Sequence, residues 1–227
     1  MKYHVEFDID FRRNPYKGIY IAFEGIDGSG KTTLVKRLKD DFEEKGRKAV
    51  LTKEPTRKDQ IGTLIHEFLQ NKIKIPSTAF QYLFVADRVV HMETSVEPFL
   101  RDGKIVITDR CFWSSVVYGI LDKIEDAKAL SNNEMLLTAQ SILSMYHQFI
   151  VPDITFYIKV SEETAIKRLL KMSKKKEYYE TKEKLKKIKE GYDWLVNKFS
   201  NEITVIDGEQ SIEDVSEQIL KHVASIK

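Results

Sequence analysis

Phe23-Glu24-Gly25-Ile26-Asp27-Gly28-Ser29-Gly30-Lys31-Thr32-Thr33 is the stretch that decides how the rest of this chain is read. The spacing G-x-x-x-x-G-K-[ST] runs from Gly25 to Thr32, and the chain's composition yields only about 0.006 such matches by chance. An apolar segment enters it, and a helical pattern beginning near Lys31 leaves it. Glycines let backbone amides turn inward around an anion, and the positive end of the following helix points at the same place. Lys31 is then placed to reach the β- and γ-phosphates of a nucleoside triphosphate, and the Thr32 hydroxyl to ligate Mg²⁺. Gly25, Ile26, Asp27, Gly28, Ser29, Gly30, Lys31, Thr32 and Thr33 are the expected ATP-binding residues. The plain alternative, a glycine-rich turn with an exposed lysine, fits poorly between a strand and a helix.

Outward from this loop, short apolar strands alternate with long amphipathic helices. Strands are expected near 18–24, 48–53, 104–109, 153–160 and 203–207. Helices are expected near 31–45, 58–71, 77–101, 112–120, 132–149, 161–172, 181–199 and 211–225. Ile105-Val106-Ile107 is continuously apolar, as a strand covered on both faces should be. The alternation predicts an α/β, doubly wound, five-stranded parallel sheet flanked by helices, the P-loop NTPase fold. Ligands in such folds lie beyond the carboxyl ends of the strands. Before the first core strand, Tyr3, Val5, Phe7, Ile9 and Phe11 alternate with polar residues, predicting an extra N-terminal β segment within an extension over 1–17. Residues 18–227 read as one domain, because no Pro/Gly/Ser linker divides them.

Composition narrows the class of protein. Twelve Phe, ten Tyr and two Trp exclude a disordered chain. A formal net charge of +2 supplies no broad basic field for nucleic acid. No apolar run approaches the ~18 residues of a membrane span, and the first residues lack a signal-peptide core. One cysteine, Cys111, excludes an intrachain disulfide framework. The expectation is a cytoplasmic protein that binds small-molecule nucleotides, with no nucleic-acid and no membrane partner. The five histidines show no metal spacing, and Lys182, Lys184, Lys186, Lys187 and Lys189 read as a solvated helical face.

The loop identifies a triphosphate and leaves the reaction open. A guanine-reading Asn-Lys-x-Asp is absent, and the third strand ends in Asp109-Arg110. That pair suits phosphoryl transfer: Asp109 can face the metal while Arg110 neutralises migrating phosphate charge. A surface ion pair is the plain alternative.

With those residues in place, the chain resembles the thymidylate kinase family over nearly all of 18–225. The resemblance is carried by the loop itself, by Lys53-Glu54-Pro55-Thr56-Arg57 and by Leu83-Phe84-Val85-Ala86-Asp87-Arg88. It continues in Asp109-Arg110 with Ser114, Ser115 and Tyr118, in Pro152-Asp153-Ile154-Thr155-Phe156-Tyr157, and in Val205-Ile206-Asp207-Gly208. It implies transfer of the γ-phosphoryl of MgATP to dTMP, giving dTDP and ADP. It implies Lys31, Asp109, Arg110 and Arg57 as catalytic residues, with Thr32 and Asp109 at the metal. Phe84 would stack on the base and Arg88, four residues on and so on the same helix face, would donate to O4. Cytosine presents an amine there, leaving a donor facing a donor. Arg57 would hold the acceptor's phosphate as a bidentate guanidinium. The resemblance further places Asp27 at the sugar 3′-hydroxyl, Tyr118 against the 2′ position, Ser115 near N3, Ser114 beside it and Tyr179 near the sugar. It also implies a homodimer formed through helices near the acceptor site. Rival readings are a kinase for dUMP or for a deoxynucleoside, and a P-loop switch without small-molecule kinase activity.

Several positions depart from the family pattern. The family supplies a catalytic arginine either from the loop or from a short lid over ATP. Here the loop carries Gly28, and the lid segment near 171–180 carries Lys171, Lys174, Lys175 and Lys176 with no arginine. One of these lysines is expected to supply the charge as a point cation. Arg168 reads as about one helical turn too early. Gly119 replaces a frequent glutamine, and Cys111 reads as buried and inert or, alternatively, as a reactive thiol.

Overall fold

The computed structural model describes residues 10–57, 59–127, 131–171 and 181–226. Five strands, β1 (Ile19–Glu24), β2 (Ala49–Lys53), β3 (Ile105–Asp109), β4 (Ile154–Lys159) and β5 (Ile203–Asp207), form one parallel sheet in the order β2-β3-β1-β4-β5. The helices are α1 (Lys31–Glu44), α2 (Gln60–Leu69), α3 (Ser77–His91), α4 (Glu97–Arg101), α5 (Phe112–Ala127), α6 (Asn132–Tyr146), α7 (Glu162–Lys171), α8 (Lys182–Lys198) and α9 (Ile212–Ala224). The alternation of β1 side chains splits the core in two. Ile19, Ile21 and Phe23 pack with α1 and α9, while Ala22 packs with α5, α6 and α8. Tyr20 faces Met92, Val96 and Leu100 on that second side.

β1 lies at the centre, with Phe23 paired to Asp109 and Glu24 paired to Tyr157. Its neighbours leave toward opposite edges of the sheet. The Gly25–Thr32 loop therefore opens at the reversal of strand order, where a crevice forms. The predicted fold is the observed one.

Two local expectations are corrected. The helix expected over 77–101 is interrupted by a π-helical turn at Met92–Val96, with Glu97 N bonded to Met92 O. Pro98 supplies the reason: it has no N–H to return to the helix, and its ring crowds the carbonyl four residues earlier. The helix expected over 112–120 continues to Ala127. Of the N-terminal segment, residues 1–9 lie outside the described residues. Beyond them, Arg12 makes a parallel bridge to Ile150. Phe11 packs on Phe112 and Trp113, and Arg13 makes a bidentate pair with Glu202. This segment is tied down on the α5 side of the molecule.

Candidate active site

A cavity of about 380 Å³ opens at the carboxyl ends of β1 and β3. Its walls are Asp27, Gly28 and Gly30 to Thr33 of the loop, Lys53, Glu54, Pro55 and Arg57 after β2, the α3 residues Phe84 and Arg88, and the α5 residues Ser114, Ser115 and Tyr118. α7 closes one side with Arg168 and Lys171. All the sequence-predicted residues that are described border it or the loop beneath it. Tyr179 and Lys174–Lys176 lie outside the described residues.

On the loop side, Lys31 curls over its own cradle, donating to Gly25 O and Ile26 O at 2.9 Å each. Burial, together with the neighbouring Arg110, lowers its pKa to about 8. Thr32 Oγ1 donates to Asp109 Oδ2 at 2.7 Å, and Lys53 Nζ stands 3.4 Å from the same oxygen. Burial would raise the Asp109 carboxyl, but Lys31, Lys53 and Arg110 outweigh it and hold the group below the usual carboxylate range. Its other oxygen, Oδ1, is buried with no hydrogen-bond partner among the described residues. An ionised carboxylate with an orphaned oxygen beside a threonine hydroxyl fits a hard divalent cation. No cluster of three or more His, Cys, Asp or Glu offers a second metal site among the described residues.

Gly28 has φ +83°, and a Cβ there would lie 2.4 Å from Ala165 O of α7. A side chain at this loop position is excluded twice, by conformation and by the backbone above it. Arg168, expected a turn too early, instead reaches back over the loop. Its Nη1 donates to Ser29 O and its Nη2 to Gly208 O, each at 3.0 Å. It also borders a neighbouring cavity of about 240 Å³ with Gly30, Thr33, Gly208 and Gln210. A missed signal is the i−3 relation of Arg168 to Lys171, which puts both on one face of α7.

Arg110 stands between the loop and the α5 wall. It is buried and left-handed, with φ +78°, a conformation costing a non-glycine residue about 1 kcal/mol. Thr108 Oγ1 bonds its carbonyl at 2.8 Å, and its own N–H reaches Phe23 O. Its Nη2 donates to Asp27 Oδ1 at 2.6 Å, and the guanidinium lies 5.4 Å over the Tyr118 ring. Burial alone would lower Arg110; Tyr118, Asp27, Tyr192 and Glu24 raise it well above its usual value. It stays charged at any working pH.

On the far wall Phe84 packs edge-on against Phe80, with centroids 4.5 Å apart. Arg88 is only 3% exposed, paired with Glu54 and flanked by the rings of Tyr146 at 5.2 Å and Phe112 at 5.8 Å. Its Nε has no hydrogen-bond partner among the described residues. Tyr146 OH donates to Ser115 Oγ at 3.0 Å, linking the two predicted base-reading residues. At the rim, Arg57 Nε donates to His66 Nε2 at 2.9 Å. Burial, with Arg57 and Lys53 nearby, lowers His66 to about 4, so its ring stays a neutral acceptor. Glu54 and Tyr146 escaped the sequence reading because their partners Arg88 and Ser115 lie more than 30 residues away, and His66 because only the approach of α2 sets it against Arg57. Cys111 is buried and its thiol pushed well up by burial and Glu24, which removes the reactive-thiol alternative.

A sequence profile described as Thymidylate kinase matches residues 23–219. This chain belongs to the thymidylate kinase family. A putative thymidylate kinase of Treponema pallidum is 31% identical over 211 residues, covering 90% of this chain and 94% of the relative. A probable thymidylate kinase of Pyrococcus abyssi is 34% identical over 209 residues, covering 90% and 95%. The solved thymidylate kinase of Candida albicans superposes with a TM-score of 0.73 at 26% identity, covering 92% of both chains. Family membership brings ATP- and Mg²⁺-dependent phosphotransfer with it. No helix among the described residues is long and apolar enough to cross a membrane.

Proposed function

We propose that this protein transfers the γ-phosphoryl group of ATP to dTMP, giving dTDP and ADP. One observation carries the reading: Arg110 is fixed between the phosphate loop, through Asp27, and the acceptor wall, through Ser114 and the Tyr118 face. A guanidinium held there neutralises charge as it moves from donor to acceptor. Thr32 and Asp109 would hold Mg²⁺, which supplies charge neutralisation at the phosphate oxygens. Lys31 leaves its loop carbonyls for the β- and γ-phosphates. Arg57, set by neutral His66, takes the acceptor's phosphate; an ionised phosphate is already nucleophilic, so Asp109 need remove no proton. Phe84 stacks on the base, Arg88 with its open Nε presents a donor to O4, and Ser115 lies near N3. Tyr118, stacked on Arg110, crowds the sugar 2′ position. Lys171 and Arg168 are the described cations over the donor end, and Arg168 with Gln210 frames the base end of ATP.

ADP release from ATP with dTMP, dUMP, dCMP, AMP and thymidine in parallel tests this. The expected result is turnover with dTMP above all others; turnover with thymidine but not dTMP overturns the acceptor, and none with any overturns the enzyme. The neighbouring helices α2, α3 and α6 carry Leu64, Tyr82, Leu136 and Leu137 exposed, with Tyr82 and Leu137 at 63%. That apolar face supports a homodimer formed near the acceptor site. The cytoplasm is the compartment that the single cysteine and the nucleotide substrates suit.

A further inference from the structure

Glu24 closes β1 with a buried carboxylate, only 1% exposed, that reaches across to the start of α5. Its Oε1 accepts from Cys111 N at 2.8 Å and Ser114 N at 3.1 Å, satisfying two amides at the helix N-terminus. Its Oε2 accepts from Ser114 Oγ at 2.6 Å and from the Tyr192 hydroxyl at 2.7 Å. Each hydroxyl has one proton, and Glu24 takes both. The two oxygens stand 3.0 Å apart with only lone pairs left to offer, and both face Arg110. Nη1 of Arg110 donates to Ser114 Oγ at 3.1 Å and to Tyr192 OH at 3.3 Å.

The protons of Nη1 are thus spoken for, and Nη2 gives one to Asp27. A planar guanidinium gripped at both ends can neither roll nor swing. Tyr192 comes from α8, the helix that follows residues 172–180, and does not line the active-site cavity. Two features bring its hydroxyl this far. Its ring stacks on Tyr157 of β4, centroids 4.9 Å apart and planes 17° from parallel. The preceding Gly191 lets α8 close on α5, since a Cβ there would lie 3.0 Å from Val117 Cγ1. Burial and Glu24 raise the phenol well above its usual value, so it keeps its proton.

We propose that Tyr192 is a positioning residue for phosphoryl transfer, fixing the orientation of the Arg110 guanidinium through its hydroxyl and the shared carboxylate of Glu24. The proposal rests on the phosphotransfer reading above. It predicts a loss confined to the chemical step, because Tyr192 does not line the cavity that would take the nucleotides.

The test is Tyr192→Phe in the full chain. The expected result is a kcat about 10-fold lower, with KM for ATP and for dTMP changed less than about twofold. In an Arg110→Lys background, which lacks the planar fork, the same substitution should cost less than about twofold in kcat. An unchanged kcat, or the same loss in both backgrounds, overturns the proposal. If Tyr192→Phe does not fold by circular dichroism, Gly191→Ala takes its place, keeping the hydroxyl but pressing α8 off Val117. A kcat loss at constant KM is then expected, and an unchanged kcat overturns the idea. Arginine side-chain ¹⁵N spectra need no turnover: rotation of the Arg110 guanidinium should be hindered in the parent chain and faster in the variant. Equal rotation in both overturns the proposal even if the acceptor proves not to be dTMP.

Discussion

Arg88 shows how one residue can be legible while its chemistry is not. Its place four residues after Phe84 is written in the sequence, and so is its face of α3. Its partner Glu54 lies 34 residues earlier, and only the fold sets that carboxylate against a buried guanidinium. Removing one member of a buried pair strands the other. Glu54→Ala should therefore lower unfolding stability by about 3 kcal/mol in urea titrations. Lys31 offers a second check. Its folded value is about 8 against 10.5 in the unfolded chain, so the native state releases its proton first. The native state consequently gains stability as pH rises from about 8 to 10.5, and below 8 it carries the full cost of burying the charge. Catalysis runs the other way, since a neutral amine cannot hold phosphate. kcat/KM for ATP should fall above pH ~8, while kcat, which reports the ATP-bound form, holds to higher pH. A flat kcat/KM profile through pH 9 would contradict this.

At the scale of elements, most boundaries followed from periodicity, and the failures have causes. The run 77–101 keeps an apolar stripe throughout, so a periodic reading sees one helix; the π turn adds one residue to a turn without breaking that stripe. Pro98 was the available cue. α2 was expected from 58 and starts at Gln60, because Asp59 caps it by accepting from Gly62 N at 2.8 Å. That cap also anchors the segment bearing Arg57. Asp59→Ala should cost about 1 kcal/mol in thermal unfolding and raise KM for dTMP severalfold with kcat less affected. The juxtaposition of Thr32 and Asp109 was legible because the loop fixes one and the strand end the other. The holders of Arg57 and Arg110 were not, since His66 and Tyr192 act from helices whose approach no spacing rule encodes.

For the molecule as a whole, the parallel sheet and a crevice beyond its carboxyl ends followed from the alternation of elements, whereas the strand order and the assembly did not. Tyr82→Glu with Leu137→Glu should halve the mass in sedimentation if the α3–α6 face is the homodimer contact; an unchanged mass would place the contact elsewhere. The seating of α7 on Gly28 bears on what this chain can become. One codon change at Gly28 would place an arginine in the loop. Here Gly28→Arg meets the Ala165 carbonyl and a left-handed backbone together, so that change gives a displaced helix rather than a new cation. Cations on α7 itself, Arg168 and Lys171, meet no such bar. A close backbone contact thus decides which positions of this chain can carry a further cation.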